Sequence, residues 1–520
     1  MMCGLLLAVG AAMAEDLVIL TTNDTHSNID TDVSGAGGVL PRKAIIDSVR
    51  KAEKNVILVD AGDMVQGTLY FKYFKGDVEY PLFNMMDYDI RILGNHEFDN
   101  GIDELARYWK NVKGDRLSAN YDFSDTPARG IFMPSVIKKV DGHKVGFMGL
   151  NVDPKSLISE ENYNGMKFKD IISTANAEAA RLRKKGCDLV VAVTHIGYCP
   201  EPGRESDLDL ARQSRDIDII IGGHSHSFVD PSTPDKTPYR IVNAEGRPVL
   251  VTQTGKYGRN VGCIKIDLDH LADRDYGYEY IPVTDRFPCE AYDKKIEAFL
   301  APYKHVVDSV NSVVVGHSLQ NLSNRRESGP FANWAGDFGQ WYGRNVADSL
   351  RMSDPAFPDV DLAIMNVGGI RQPMPEGPVT EGQILSTFPF SNRLRLISIK
   401  GSDLVETMKI VAPRGGEAVS EAVRVVTDGK GNVLRVVVNG EEVDPERDYT
   451  VCTIDYIAEG NDDMIPMKRH RELWRDSEEV SVRILEYVRH LESLGLGINP
   501  DPTRRFVRDV RLPAGEVPES

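Results

Sequence analysis

The sequence predicts an α/β chain of more than one domain. Three observations predict it. Five apolar, β-rich runs between residues 17 and 226 each end in Asp, Asn or His, usually with glycine alongside. The length of 520 residues exceeds what a single core holds, and roughly two to four domains is the expectation. A stretch with helical apolar spacing near residue 300 then separates this region from a second part with its own mixture of strands and helices.

Composition narrows the function classes. Hydrophobic content of 41% with 27% charged residues is that of an ordinary globular protein. The net charge of −17 argues against a nucleic-acid polymer as partner, because such a surface needs clustered Lys and Arg. It leaves room for a small anionic substrate, since a local pocket of cations overrides the global sign. The N-terminus, from Met1 through Leu5, Leu6 and Leu7 to Ala12-x-Ala14, reads as a signal peptide over residues 1–14, without the usual basic start. No other run approaches the ~18 apolar residues of a membrane helix, so the expectation is export, periplasmic or secreted, with no transmembrane span. The six cysteines form no disulfide framework; one bridge, Cys187–Cys199 or Cys263–Cys289, stays open. The sequence is compatible with a monomer or a dimer.

In chain order, the first run, Leu17 to Thr22, leads into Asn23-Asp24-Thr25-His26, where Asp and His two apart just past a strand end can point at one shared ion or form a surface polar turn. A glycine-rich loop and a helix, Pro41 to Lys51, follow. The run Val56 to Val59 ends in Asp60-Ala61-Gly62-Asp63. Here glycine lets Asp63 present its carboxylate at close range, and Asp60 reads as a structural partner. Ile90 to Leu93 leads into Gly94-Asn95-His96-Glu97-Phe98-Asp99, which packs an amide oxygen, an imidazole and carboxylates into a few residues; the glycine reads as a sharp turn. Leu189 to Thr194 ends at His195. Ile217 to Ile221 ends at Gly222-Gly223-His224-Ser225-His226, where two histidines spaced i, i+2 can face the same site. Ligands of α/β sheets bind beyond the carboxyl ends of strands, so the five clusters converge on one crevice.

Taken in that order, Asn-Asp-x-His, Gly-Asp, Gly-Asn-His-Glu, Thr-His and Gly-His-x-His resemble the calcineurin-like metallophosphoesterases. The longer strings at 23–26 and 94–99 are most similar to the secreted bacterial 5′-nucleotidase family. The resemblance implies a four-layer α/β/β/α sandwich over residues 15–290. It also implies two divalent metal ions: Asp24, His26 and His226 on one, Asn95, His195 and His224 on the other, and Asp63 between them. Mixed nitrogen and oxygen ligands without thiolate suit Zn²⁺, Mn²⁺ or Fe better than Mg²⁺ or Ca²⁺. Two such ions ~3.5–4 Å apart clamp an in-line displacement at phosphorus and supply a metal-bound hydroxide as nucleophile. In the resembling family His96 and Asp99 form a His–Asp pair; His96 would stabilise transition-state charge or protonate the leaving oxygen. Glu97 has no role in this reading.

The second half reads as a connector helix within Tyr292 to Val315, placed at residues 291–310, and a C-terminal α+β substrate-binding domain at 311–515. Val423 to Thr427 and Val433 to Val438 flank Asp428-Gly429, a hairpin signal. Asn366, Gly369 and Arg371 resemble the family's substrate string, with Val367 replacing a glycine. Phe390 and Tyr456 fall where two aromatics sandwich the base, Asp462 where an Asp holds the ribose, and Arg325 or Arg326 where an upstream arginine meets substrate. Asn95 counts among the substrate contacts too. Glu459, Asn461 and Asp463 depart from a glycine-rich loop, and the negative charge of Glu459 and Asp463 is expected to disfavour polyanions. The reading is a phosphomonoesterase acting on nucleoside 5′-monophosphates, with the second domain swinging about the connector. The alternatives are 2′,3′-cyclic diesters or UDP-sugars on the same metals and, more remotely, a non-catalytic nucleotide-binding or adhesion module.

Overall fold

The structure, a computed structural model, describes residues 17–32, 34–200, 203–285, 291–325, 327, 329–428 and 430–509. The leader, Cys289 and Arg326 lie outside these residues. The chain divides into two compact units. The first takes residues up to 66, 73–154 and 160–302; the second takes 67–72, 155–159 and the chain from Tyr303 on.

Five strands of the first unit carry the site: β1 (Leu17–Thr22), β2 (Val56–Asp60), β3 (Ile90–Ile92), β4 (Leu189–His195) and β5 (Ile219–Ile221). β1, β2 and β3 lie side by side and parallel in one six-stranded sheet, with Thr22 opposite Asp60 and Asp60 opposite Arg91. β4 and β5 are parallel neighbours in a second six-stranded sheet. Parallel pairing puts the carboxyl ends of neighbouring strands on one edge, so side chains just past them share a rim.

Both faces of these strands are buried, which is why the runs are apolar without alternation. Leu17 and Ile19 of β1, Ile57 and Val59 of β2, Val191 and Val193 of β4, and Ile219 and Ile221 of β5 form one core between the sheets. Val190, Ala192 and Ile220 point the other way, onto Ala175, Ala179 and Leu182 of the helix Ile171–Lys184 and Leu210 and Ala211 of Asp207–Gln213. The helix expected at Pro41 to Lys51 spans Val39–Ala52.

In the second unit a five-stranded sheet runs in the order Ala418–Val419, Leu362–Met365, Asp448–Ile454, Arg393–Lys400, Arg471–Glu479. The helix Pro330–Arg351 belongs to this unit. Val423–Thr427 pairs antiparallel with Val433–Val438, the hairpin the sequence predicts.

Two expectations need correcting. The helix read from Tyr292 to Val315 spans only Lys294–Asn311, and Val314–Ser318 is a strand paired with Gly377–Thr380. The consecutive β-branched residues Val313, Val314 and Val315 favour an extended backbone over another helical turn. Cys187 is a free, buried thiol, so the Cys187–Cys199 bridge is not formed. Among the described residues no helix is long and apolar enough to cross a membrane.

Candidate functional site

The strand-end loops of the first unit bring together the residues read from the sequence as ligands. Asp24, His26 and His226 form one group whose ligand atoms all lie within 4.8 Å of one another, and Asp63, His195 and His224 form another. His26 Nε2 is 2.9 Å from His226 Nε2, and the two are 3.7 and 3.5 Å from Asp24 Oδ1. Asp63 Oδ2 stands between the groups, 3.2 Å from His195 Nε2 and 3.8 Å from His26 Nε2. Asn95 Oδ1 lies 2.9 Å from His224 Nδ1.

The backbone at these positions is unusual. Asp24 (φ 50°), His26 (47°), Asp63 (55°), His224 (79°) and His226 (58°) all sit in the left-handed region. Each such non-glycine residue costs on the order of 1 kcal/mol, and five together are held only because the surrounding loops over-determine them. Asp24 N–H donates to the Gly62 carbonyl at 2.9 Å, and His26 N–H to the Asp63 carbonyl at 3.0 Å. Gly94 has another requirement than the sharp turn expected of it. Its φ is not positive, but a Cβ there would lie 2.1 Å from Asp63 Oδ1.

The chemistry of the donor set fits divalent ions. The His195 ring is fully buried, and its Nδ1 donates to the Ala61 carbonyl at 2.7 Å. Its Nε2 lone pair therefore faces the Asp63 carboxylate, an arrangement that repels unless a cation or proton joins them. Burial disfavours the charged ring, but Asp63 and Asp24 overcome this and push His195 up to about 10. Burial pushes Asp24 up to about 7. For Asp63 burial acts the same way, but His195 and His96 outweigh it and hold the carboxyl well below its usual range. A pocket of desolvated carboxylates and imidazoles is a site for positive charge.

His96 lies beside the ligand groups, its ring 5.3 Å from that of His26, with Nδ1 3.0 Å from Asp99 Oδ2. Gln66 Nε2 donates to the same oxygen at 2.9 Å, so Asp99 is held from two sides. Sequence reasoning missed three contributors. Asn23 donates to Asp24 Oδ2 at 2.6 Å and accepts from Thr254, fixing the carboxylate's rotamer. Gln66 is the second. Glu97 is the third: it is buried and accepts backbone N–H groups from Asp63, Met64 and Gly94. An Asn just before a ligand was a readable signal for the first; the other two depend on contacts across roughly thirty residues.

In the second unit Asn366 Nδ2 donates to Asp462 Oδ2 at 2.5 Å and the Tyr456 hydroxyl to Oδ1 at 3.1 Å. The Arg371 guanidinium lies 5.6 Å from the centre of the Phe390 ring. Phe390 and Tyr456 are half-buried. Val367 in place of glycine is accommodated because residues 367–369 form a single 3₁₀ turn with no positive φ; its N–H donates to Glu417 Oε2 at 2.7 Å. Gly369 packs against Asn366, where a Cβ would meet Oδ1 at 2.8 Å. Arg325 is exposed, 3.9 Å from Glu327, while its neighbour Asn324 donates to the Arg371 carbonyl at 2.7 Å. The added negative charge of the 459–463 loop is offset: Glu459 accepts from Arg395 at 2.8 Å, Asp463 lies 3.9 Å from Arg414, and Asn461 donates to the Tyr456 carbonyl at 3.0 Å.

Residues 17–228 match the family model described as calcineurin-like phosphoesterase, and residues 314–469 the one described as 5′-nucleotidase, C-terminal domain. The 5′-nucleotidase of Mus musculus is 29% identical over 447 residues, covering 80% of this chain and 75% of that protein. The trifunctional nucleotide phosphoesterase protein YfkN of Bacillus subtilis is 28% identical over 549 residues, 96% of this chain but 35% of that longer protein. Among solved structures, the 5′-nucleotidase precursor from Thermus thermophilus superposes with a TM-score of 0.80 at 28% identity, covering 95% of this chain and 99% of that one.

Proposed function

Since the chain belongs to the 5′-nucleotidase family of calcineurin-like metallophosphoesterases, and is a phosphoric ester hydrolase of that type, we propose that it hydrolyses nucleoside 5′-monophosphates to nucleoside and phosphate at a two-ion centre. The observation that carries this is the facing of the buried His195 Nε2 and the Asp63 carboxylate at 3.2 Å, flanked by the Asp24–His26–His226 group. Asp24, His26 and His226 would hold one ion, Asn95, His195 and His224 the other, and Asp63 would contact both. Bound divalent ions would neutralise phosphoryl oxygens and acidify water, and the nitrogen–oxygen donor set suits Zn²⁺ or Mn²⁺.

The chain's own residues supply the rest. His96, held at Nδ1 by Asp99, directs its other nitrogen away from that carboxylate. There it can stabilise charge on the phosphoryl group or protonate the departing 5′-oxygen. Asn95 offers its amide to a phosphoryl oxygen as well as its carbonyl to an ion. In the second unit Phe390 and Tyr456 would stack the base, Asp462 would accept from ribose hydroxyls, and Asn366, Gly369 and Arg371 would line the pocket. Arg325 would reach the ligand from its exposed position. Stacking contributes ~1–3 kcal/mol per base and tolerates base identity, which suits a broad nucleotidase. Export to the periplasm or medium accords with the leader-like residues 1–14 and with the Thermus relative being a precursor.

The test is phosphate release by metal-reconstituted protein from AMP, GMP, UMP, CMP, ATP, UDP-glucose, 2′,3′-cAMP and bis(p-nitrophenyl) phosphate, with and without chelator. Chelator-sensitive release, greatest on the monophosphates, is expected. The match of a trifunctional nucleotide phosphoesterase over nearly the whole chain favours a second reading, activity on more than one class of nucleotide phosphoester. Turnover confined to diesters or UDP-glucose would overturn the first reading, and no turnover with any metal would favour a binding module.

A further inference from the structure

Loop 23–27 after β1, loop 61–66 after β2 and loop 93–98 after β3 must agree in position for the two-ion centre to form. The first two are tied through the backbone: Asp24 N–H to the Gly62 carbonyl, His26 N–H to the Asp63 carbonyl and Ser27 N–H to the Met64 carbonyl, all at 2.9–3.0 Å. The second and third are joined differently. Besides Gln66 Nε2, which donates to Asp99 Oδ2 at 2.9 Å just past the third loop, the links come from the side chains of Glu97 and Asp63. Glu97 Oε2 accepts from Asp63 N–H at 3.1 Å and from Gly94 N–H at 2.5 Å, while Oε1 accepts from Met64 N–H at 2.9 Å. In return Asp63 Oδ1 accepts from His96 N–H at 2.9 Å. The result is a reciprocal clasp: a carboxylate from each loop holds the backbone of the other.

Glu97 is 4% exposed, so its bonds face no competition from bulk water and its loss would strand buried N–H groups. The two loops also touch closely: a Cβ on Gly62 would fall 2.6 Å from the Gly94 nitrogen. Little else can absorb a shift between them.

We propose that Glu97 is a positioning residue that sets the register between Asp63 and Asn95, so that the ion position drawing on both loops depends on it while the position held by Asp24, His26 and His226 does not. This inference rests on the two-ion reading and deepens it. It predicts asymmetry: Asn95 stands on the loop that Glu97 clasps to the Asp63 loop, whereas Asp24 and His26 are tied to the Asp63 loop by backbone bonds. His96 rides on the clasped loop as well, so turnover falls with the affected ion.

The experiment titrates metal-stripped full-length protein with Mn²⁺ alone, following bound ion by calorimetry and electron paramagnetic resonance. Asn95→Ala and His226→Ala identify which binding step belongs to which position. Wild type is expected to bind two ions. Glu97→Gln keeps the shape but turns an amide toward backbone donors. It should weaken the step lost in Asn95→Ala by about tenfold or more and leave the other within about threefold. kcat on AMP should fall with little change in KM, and Glu97→Asp should lie between Gln and wild type. Amide hydrogen exchange at residues 63, 64 and 94 should quicken in Glu97→Gln. Both steps unchanged, or both weakened alike, would overturn the assignment. So would failure of both Glu97→Gln and Glu97→Asp to fold, since that makes Glu97 a determinant of the fold rather than of the register. Fewer than two ions on wild type would instead bring down the two-ion reading, and this inference with it.

Discussion

Replacing Gly94 with alanine adds one methyl group at the tightest point between the loops after β2 and β3. The added carbon would stand 2.1 Å from Asp63 Oδ1 and 2.5 Å from the Asp63 nitrogen, where real contacts do not fall below 3.0 Å. Either Asp63 or the Gly94 loop must therefore move by about 0.9 Å. Neither is a flexible side-chain end: one partner is backbone, and the other is a buried carboxylate already bonded to the His96 N–H. Overpacking of this kind costs roughly 1–3 kcal/mol, and misplacing a reactive group by ~1 Å costs on the order of 10²-fold in rate. Because φ at Gly94 is not positive, the effect is steric and not one of backbone strain. Gly277→Ala is the control: its φ is not positive and its nearest neighbour is an ordinary 3.4 Å from the added carbon. The assay is kcat/KM for AMP with bound metal measured on the same samples. Gly94→Ala should lose about 10²-fold, with reduced metal content, and Gly277→Ala should stay within about threefold of wild type. Gly94→Ala with near-normal activity and metal content would refute the steric reasoning.

Three further outcomes follow from the geometry. His96→Ala should keep its metal content and lower turnover by about 10²-fold or more, read by mass spectrometry of bound ions beside phosphate release; unchanged turnover removes His96 from the mechanism. Phe390→Ala should raise KM for AMP by about 5- to 150-fold, the equivalent of ~1–3 kcal/mol of stacking, and leave hydrolysis of bis(p-nitrophenyl) phosphate unaltered; equal losses on both would place Phe390 outside base recognition. Burial pushes the Glu79 carboxyl from 4.5 up to about 7. The folded chain therefore holds that proton more tightly than the unfolded one. The contribution to stability is complete below pH 4.5 and is lost as pH rises through 7. Glu79→Gln should accordingly gain up to on the order of 3 kcal/mol over wild type at pH 8, and little at pH 4. Urea denaturation at the two pH values measures this, and an equal effect at both would show that Glu79 does not titrate across that range.

The sequence was most informative where chemistry and periodicity coincide. Apolar runs with no alternation marked strands buried on both faces, and Asp24, His26, His195 and His226, each unremarkable alone, stood out because five such runs end in Asp, Asn or His. Local pattern failed in three places. The apolar residues Val313 to Val315 continued a helical spacing, and only pairing with Gly377–Thr380 decides that this backbone is extended. Glu459 read as surplus charge because its partner Arg395 lies 64 residues away. Glu97 read as a bystander because its partners are backbone N–H groups, which every sequence has and no sequence displays. Gly94 was legible as special but not for its reason, since close approach to Asp63 is a property of two loops together.

We propose that two ions held by these strand-end loops perform the hydrolysis. The most direct measurement titrates metal into stripped protein and follows AMP hydrolysis against ions bound per chain. Activity should stay near zero through the first ion, rise with the second, and disappear on adding chelator. Full activity at one ion or fewer, or activity indifferent to chelator, would contradict it.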